Sequence, residues 1–168
     1  ASHDCSLSPE QVRELVAARQ DNFLHILEQE TLPAFPGVLE LFDGALKSND
    51  FALAIATSST REKSQAVLKS ARIPLQKMVY VCGDDVSRKK PDPEHFQVAC
   101  QRLSIDPKRC VVIEDAPNGI EAACSAGCRA IAVTNTCGPT DLQNADMIVD
   151  TLTEVTLEAL RQLLDPTG

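Results

Sequence analysis

An α/β domain built on a parallel sheet is predicted by three features of the sequence. Apolar runs of strand length alternate with segments of helical period from about residue 37 to the C-terminus. Several of these runs end abruptly in hydroxyl or acidic side chains, at the sheet edge where parallel α/β sheets hold their ligands. The chain has 168 residues, enough for one domain with a buried core, and shows neither an internal repeat nor a low-complexity segment.

Residues 8–30 read as a helix or helix pair. Ser8 can cap, Pro9 suits the first helical position, and Val12, Leu15, Val16, Phe23, Ile26 and Leu27 recur near helical period. His25 within that stripe reads as a packed or surface residue. Leu32 to Gly37, with two prolines, marks a junction. A helix at about 37–48 carries Val38, Leu41, Phe42 and Leu46 on one side. Phe51 to Ala56 is a short apolar run suited to a buried parallel strand, followed by Thr57-Ser58-Ser59-Thr60 and a polar helix at about 61–71. Met78 to Cys82 is the next strand, then a Lys89-Lys90-Pro91 loop and a helix at 93–103. Strand 110–114, helix 117–126, strand 129–134, a loop at Gly138-Pro139, a short strand at 147–149 and a helix at 155–164 complete the series.

The formal net charge of −8 excludes a basic surface for the nucleic-acid backbone, and the absence of Trp argues against base stacking. No apolar run approaches the length of a membrane span, and the N-terminus lacks the pattern of a signal peptide. Seven cysteines without a CxxC pair point to free thiols in a reducing compartment such as the cytoplasm. Cys124 and Cys128, four apart on an expected helix, read either as half a metal site or as two small buried apolar residues.

Three strand ends carry the polar groups that suggest chemistry. Glu114 and Asp115 repel one another unless a cation or proton lies between them, and hard oxygen ligands suit Mg²⁺. Their other reading is as caps of the next helix. Thr57, Ser58 and Ser59 offer hydroxyls and backbone amides at a helix N-terminus, a phosphate-binding arrangement or an ordinary cap. Lys90 in a loop stiffened by Pro91 and Pro93 is a point charge for a phosphate, or a solvated surface lysine.

The phrase VVIEDAPNGIEAACSAGCRAIAV at 111–133 resembles motif four of the haloacid dehalogenase superfamily, closest to its β-phosphoglucomutase-like and sugar-phosphate phosphatase branch. Thr57 in LAIATSST matches that family's motif two, and Lys90 in KPDPEHF matches motif three. The resemblance covers 33–165 and implies a Rossmann-like core of three α/β/α layers over 33–168, with 1–32 the remnant of a helical cap. It implies phosphoryl transfer from a small phosphorylated metabolite through an aspartyl phosphate. Lys90 and Thr57 would be catalytic, Thr57, Ser58, Ser59 and Lys90 would hold phosphate, and Asp115 with Glu114 would hold Mg²⁺.

The family's first motif, an apolar strand ending in DxDG that carries the nucleophile, is absent from these 168 residues. Asp84-Asp85 follows the wrong strand, and Asp43-Gly44 lies inside an expected helix. In the family that strand lies between the strands ending at Thr57 and Asp115. The chain therefore reads as an N-terminally shortened form, its slot filled by sequence upstream of Ala1 or by a partner chain. Direct pairing of 51–57 with 110–114 would instead mark a rearranged, inactive domain. A phosphosugar mutase and a non-catalytic interaction module on the same fold are the alternatives in function, and a generic flavodoxin-like binder would leave Thr57, Lys90 and Glu114-Asp115 without a joint role.

Overall fold

Ser8 starts the first helix through a capping box: its hydroxyl accepts the Gln11 amide (3.2 Å) while the Gln11 side chain accepts the Ser8 amide (2.8 Å). The result is one unbroken helix, α1, Pro9–Gln29, rather than a pair. The computed structural model describes residues 7–165; Cys5 and the N-terminal segment bearing on a signal peptide lie outside them. The second half of α1 packs on α3 (Arg61–Ser70), with Lys63 over the Phe23 ring at 4.8 Å. In its first half Val12, Leu15 and Val16 stay exposed, so only part of the expected apolar stripe is covered.

The remaining elements follow the expected order. They are α2 (Val38–Ser48), β1 (Ala54–Ala56), α3, β2 (Val79–Val81), α4 (Glu94–Leu103), β3 (Val111–Glu114), α5 (Pro117–Ala126), β4 (Arg129–Val133), β5 (Met147–Val149) and α6 (Leu157–Leu164). The loop expected at Gly138-Pro139 winds into a 3-10 turn, Pro139–Leu142. The last helix starts two residues later than its apolar pattern suggests, because Thr156 caps it by accepting the Ala159 amide (3.0 Å). Cys128 falls beyond the end of α5, after Gly127 in the left-handed conformation. It is buried while Cys124 is exposed, so the two share neither a helix face nor a burial state. Among the described residues no cluster of three metal-ligating side chains is present, and no helix is long and apolar enough to cross a membrane.

Side chains of β3 and β4 alternate between two apolar layers. Val112, Ala130 and Ala132 pack with Phe96 of α4 and Ile120 of α5. Ile131 and Val133 pack with Leu41 of α2 and Leu160 of α6, together with Val111 and Ile113. This is the expected three-layer α/β/α arrangement.

The strands form two parallel sheets, β1-β2 and β3-β4-β5, and β1 does not pair with β3. The Leu53 carbonyl accepts the Val79 amide and the Thr57 amide donates to the Val81 carbonyl, which turns the odd residues of β1 toward β2 and leaves the amides and carbonyls of Ala54 and Ala56 on the far edge. In β3, Cys110 bonds to Arg129, so Val111 and Ile113 present their backbone groups on the edge away from β4. Both free edges line one cavity of about 980 Å³, walled by Phe96 and Ala99 on one side and Leu41 and Ala45 on the other. The effect on burial is direct: β4, paired on both sides, is almost wholly buried, whereas β1, equally apolar, is only half-buried. With one partner instead of two, β1 also contracts to 54–56 from the expected 51–57.

Asp84 and Asp85 have a structural role. Asp84 accepts the Arg61 amide (2.8 Å), satisfying the first turn of α3. Asp85 accepts the Cys82 amide (2.8 Å) and pairs with Arg61 (2.7 Å) and Arg102 (3.1 Å). The Cys82 amide, then the nearby thiol and Arg102, hold its carboxyl well below the usual carboxylate range.

Candidate active site

The carboxyl ends of β1 and β3 meet through Lys90. Its ammonium contacts the Glu114 carboxylate at the end of β3, lies 3.4 Å from the Ala56 carbonyl at the end of β1, and sits 4.7 Å from the centre of the Phe96 ring. Lys90 is thus no solvated surface residue; its side chain is 9% exposed, and it spans the mouth of the slot. An ion pair so desolvated is strongly coupled, and removing one partner leaves the other charge stranded.

Glu114 owes its pose to Gly119. A Cβ at position 119 would overlap the Glu114 carboxyl group, so only glycine leaves room for that carboxylate over the first turn of α5. A glycine inside a helix costs about 1 kcal/mol relative to alanine, and this packing is the compensating reason. Gly119→Ala is therefore expected to destabilise the chain by about 1–3 kcal/mol, since it displaces a paired buried carboxylate. Urea unfolding checks this. A gain in stability, the ordinary result of Gly→Ala in a helix, would show that the carboxylate does not need the space.

Neither carboxylate acts as a side-chain cap of α5, whose N-cap is Ala116. Asp115 turns instead toward the loop after β4, where the Thr136 hydroxyl donates to its Oδ2. Among the described residues Asp115 has no cationic partner.

At the end of β1, the Thr57 hydroxyl oxygen accepts the Ser59 amide (3.2 Å). The Gly83 amide donates to the Ser59 carbonyl (2.8 Å), and a Cβ at 83 would stand 2.5 Å from the Ser58 carbonyl. Gly83 thus lets the β2 end press against the Ser58-Ser59 turn. With the Ser59 and Arg61 amides already bonded, the Thr57 O–H and the Ser58 N–H are among the donors left for an anion.

His95 escaped the sequence reading. Its ring is fully buried and neither nitrogen has a hydrogen-bond partner. Burial first, then the charge of Lys90, holds the imidazole below its ordinary pKa, against smaller opposing effects of the Thr57 backbone and Glu94. A base whose folded pKa is depressed takes up its proton in the unfolded chain first. Stability is accordingly full above about pH 6.5 and falls as the pH drops below it, by at most about 1.4 kcal/mol per unit. Denaturant unfolding between pH 5 and 7 should show this slope, and His95→Gln should flatten it; an unchanged slope in the variant would assign it elsewhere.

A model of the haloacid dehalogenase-like hydrolase family matches residues 5–133. The chain is 34% identical over 131 residues to a CBBY-like protein of Arabidopsis thaliana, covering 76% of this chain and 41% of that protein. It is 34% identical over 161 residues to validoxylamine A 7'-phosphate phosphatase of Streptomyces hygroscopicus subsp. limoneus, covering 92% of this chain and 72% of that protein. A crystal structure of a mutant CbbY from Rhodobacter sphaeroides, in complex with xylulose-(1,5)bisphosphate, superposes with a TM-score of 0.81 at 26% identity, over 92% of this chain and 71% of that one. The chain therefore spans less than half of the first relative and under three quarters of the others.

Proposed function

The chain belongs to the haloacid dehalogenase-like hydrolase family, and from that membership we propose that it forms the phosphate- and metal-binding part of a Mg²⁺-dependent phosphatase acting on small phosphorylated metabolites such as sugar phosphates. The observation that carries this reading is Lys90, buried at the junction of Thr57's strand and Glu114's strand, at the mouth of an open slot. The names of two relatives, one a phosphatase and the other bound to a sugar bisphosphate, support the substrate class.

Each residue then has a defined task. Lys90 exchanges its contact with Glu114 for a phosphoryl oxygen and offsets the charge of the transferring group. The Thr57 O–H and Ser58 N–H orient that group from the other side, while Ser59 fixes the Thr57 oxygen. Asp115 has an oxygen that no donor among the described residues reaches, and Glu114 lies beside it, a donor set of hard oxygens that fits Mg²⁺ as two ligands of a larger shell. When bound, Mg²⁺ offsets the repulsion between an anionic nucleophile and the phosphate.

The nucleophile belongs to a strand that fills the slot. In this reading the strand lies between β1 and β3, comes from outside these 168 residues, and ends in the aspartate that becomes phosphorylated. Helix α1, with its uncovered apolar residues, is the remnant of a helical cap. The free cysteines among the described residues support a reducing compartment such as the cytoplasm.

Hydrolysis of p-nitrophenyl phosphate, measured with and without Mg²⁺, tests the proposal on the chain joined to a slot-filling strand that ends in aspartate. Turnover is expected only when the strand, its aspartate and Mg²⁺ are all present. Binding of the strand without any turnover would favour the non-catalytic interaction module.

A further inference from the structure

We propose that Thr136 is a positioning residue that aims Asp115 at the cation; this rests on the metal reading above. Asp115 follows the end of β3 and precedes Ala116, the N-cap of α5. It has no ion pair among the described residues, and it does not cap the helix that follows. What fixes it is one charge-assisted bond, donated by the Thr136 hydroxyl to Oδ2. Oδ1 has no protein donor among the described residues, so the bond holds one oxygen and leaves the other open. That is the arrangement a monodentate Mg²⁺ ligand needs.

The loop that carries Thr136 is itself anchored. Two residues earlier, the Thr134 amide donates to the Val149 carbonyl (3.0 Å) and the Thr134 hydroxyl to Asp150 (2.8 Å). The Asp150 amide is held in turn by Glu154 (3.1 Å). Strand β5 and the turn after it therefore form a frame from which Thr136 reaches Asp115. Groups that orient a metal-ligating carboxylate in this way typically contribute about 10–100-fold to metal affinity.

The test is a Mg²⁺ titration of the ¹⁵N-labelled chain, followed through the Glu114 and Asp115 amides. Thr136→Val keeps the side-chain shape and removes the donor; Thr136→Ser keeps the donor. The valine variant should bind Mg²⁺ about tenfold more weakly, the serine variant close to the unsubstituted chain, and the urea midpoints of all three should agree. Equal or tighter Mg²⁺ binding by the valine variant overturns the inference and leaves the metal reading standing. A drop in the valine midpoint with unchanged affinity assigns Thr136 to the fold alone. If the valine variant does not fold, Thr136→Ala carries the same comparison. No saturable Mg²⁺ response in the unsubstituted chain overturns the metal reading and this inference together.

Discussion

Joining a slot-filling strand to the chain is expected to raise its melting temperature by about 6–20 °C. The two open edges present the amides and carbonyls of Ala54, Ala56, Val111 and Ile113 to one cavity, and among the described residues only the Ala56 carbonyl meets a side-chain donor. A parallel strand between them can bond to all of these groups. Each such bond contributes a net ~0.5–1.5 kcal/mol, so the set outweighs the ordering of a few residues, at about 1–2 kcal/mol each, once apolar side chains also fill the space between Phe96 and Leu41. A net gain of about 3–5 kcal/mol corresponds to about 6–20 °C for a domain of this size. Thermal unfolding of the joined chain measures it. Proline at the centre of the added strand removes an amide the ladder needs, so that version should recover little of the gain. Equal gains from both versions would show that the segment binds without entering the sheet. Ladder bonds between β1 and β3 in the joined chain would mean the slot had closed without it.

The slot could be anticipated from sequence because it follows from an absence. The resemblance at Thr57, Lys90 and Glu114-Asp115 implies a strand ending in DxDG between those at 51–57 and 110–114, and no such motif stands in these 168 residues. Strand positions were legible as well, since β5 is too apolar and too short for anything else. Contacts across long sequence distances were not legible. Thr136 lies 21 residues from Asp115, and nothing local marks it as that residue's partner. The burial of His95 depends on how α4 packs on β1 and β2, which periodicity does not resolve. Gly119 did carry a signal: a glycine early in a helix, five residues after an acidic strand end, asks for a packing reason. Asp84 and Asp85 show the converse, an acidic pair at a strand end that serves the fold by bracing α3 and two arginines.

In a strand-joined chain that turns over phosphate monoesters, Lys90→Ala is expected to lower kcat by at least about tenfold and as much as 10²–10³-fold, the range found when one donor to a developing anion is removed. The geometry makes Lys90 hard to replace. Its side chain is 9% exposed, confined between the Ala56 carbonyl, the Glu114 carboxylate and the Phe96 ring. Lys90→Arg should recover little, because a planar guanidinium does not fit a site shaped for a point charge. Lys90→Ala also strands Glu114, so part of its loss could come from unfolding. Glu114→Gln combined with Lys90→Ala, compared with Glu114→Gln alone, separates the two effects: it removes the stranded charge and should restore stability, while turnover stays below that of Glu114→Gln alone. Steady-state kinetics on a phosphate monoester, with unfolding curves beside them, give the answer. Turnover and kcat/KM unchanged by Lys90→Ala would make the ion pair a clamp between the two half-sheets, with no part in phosphoryl transfer.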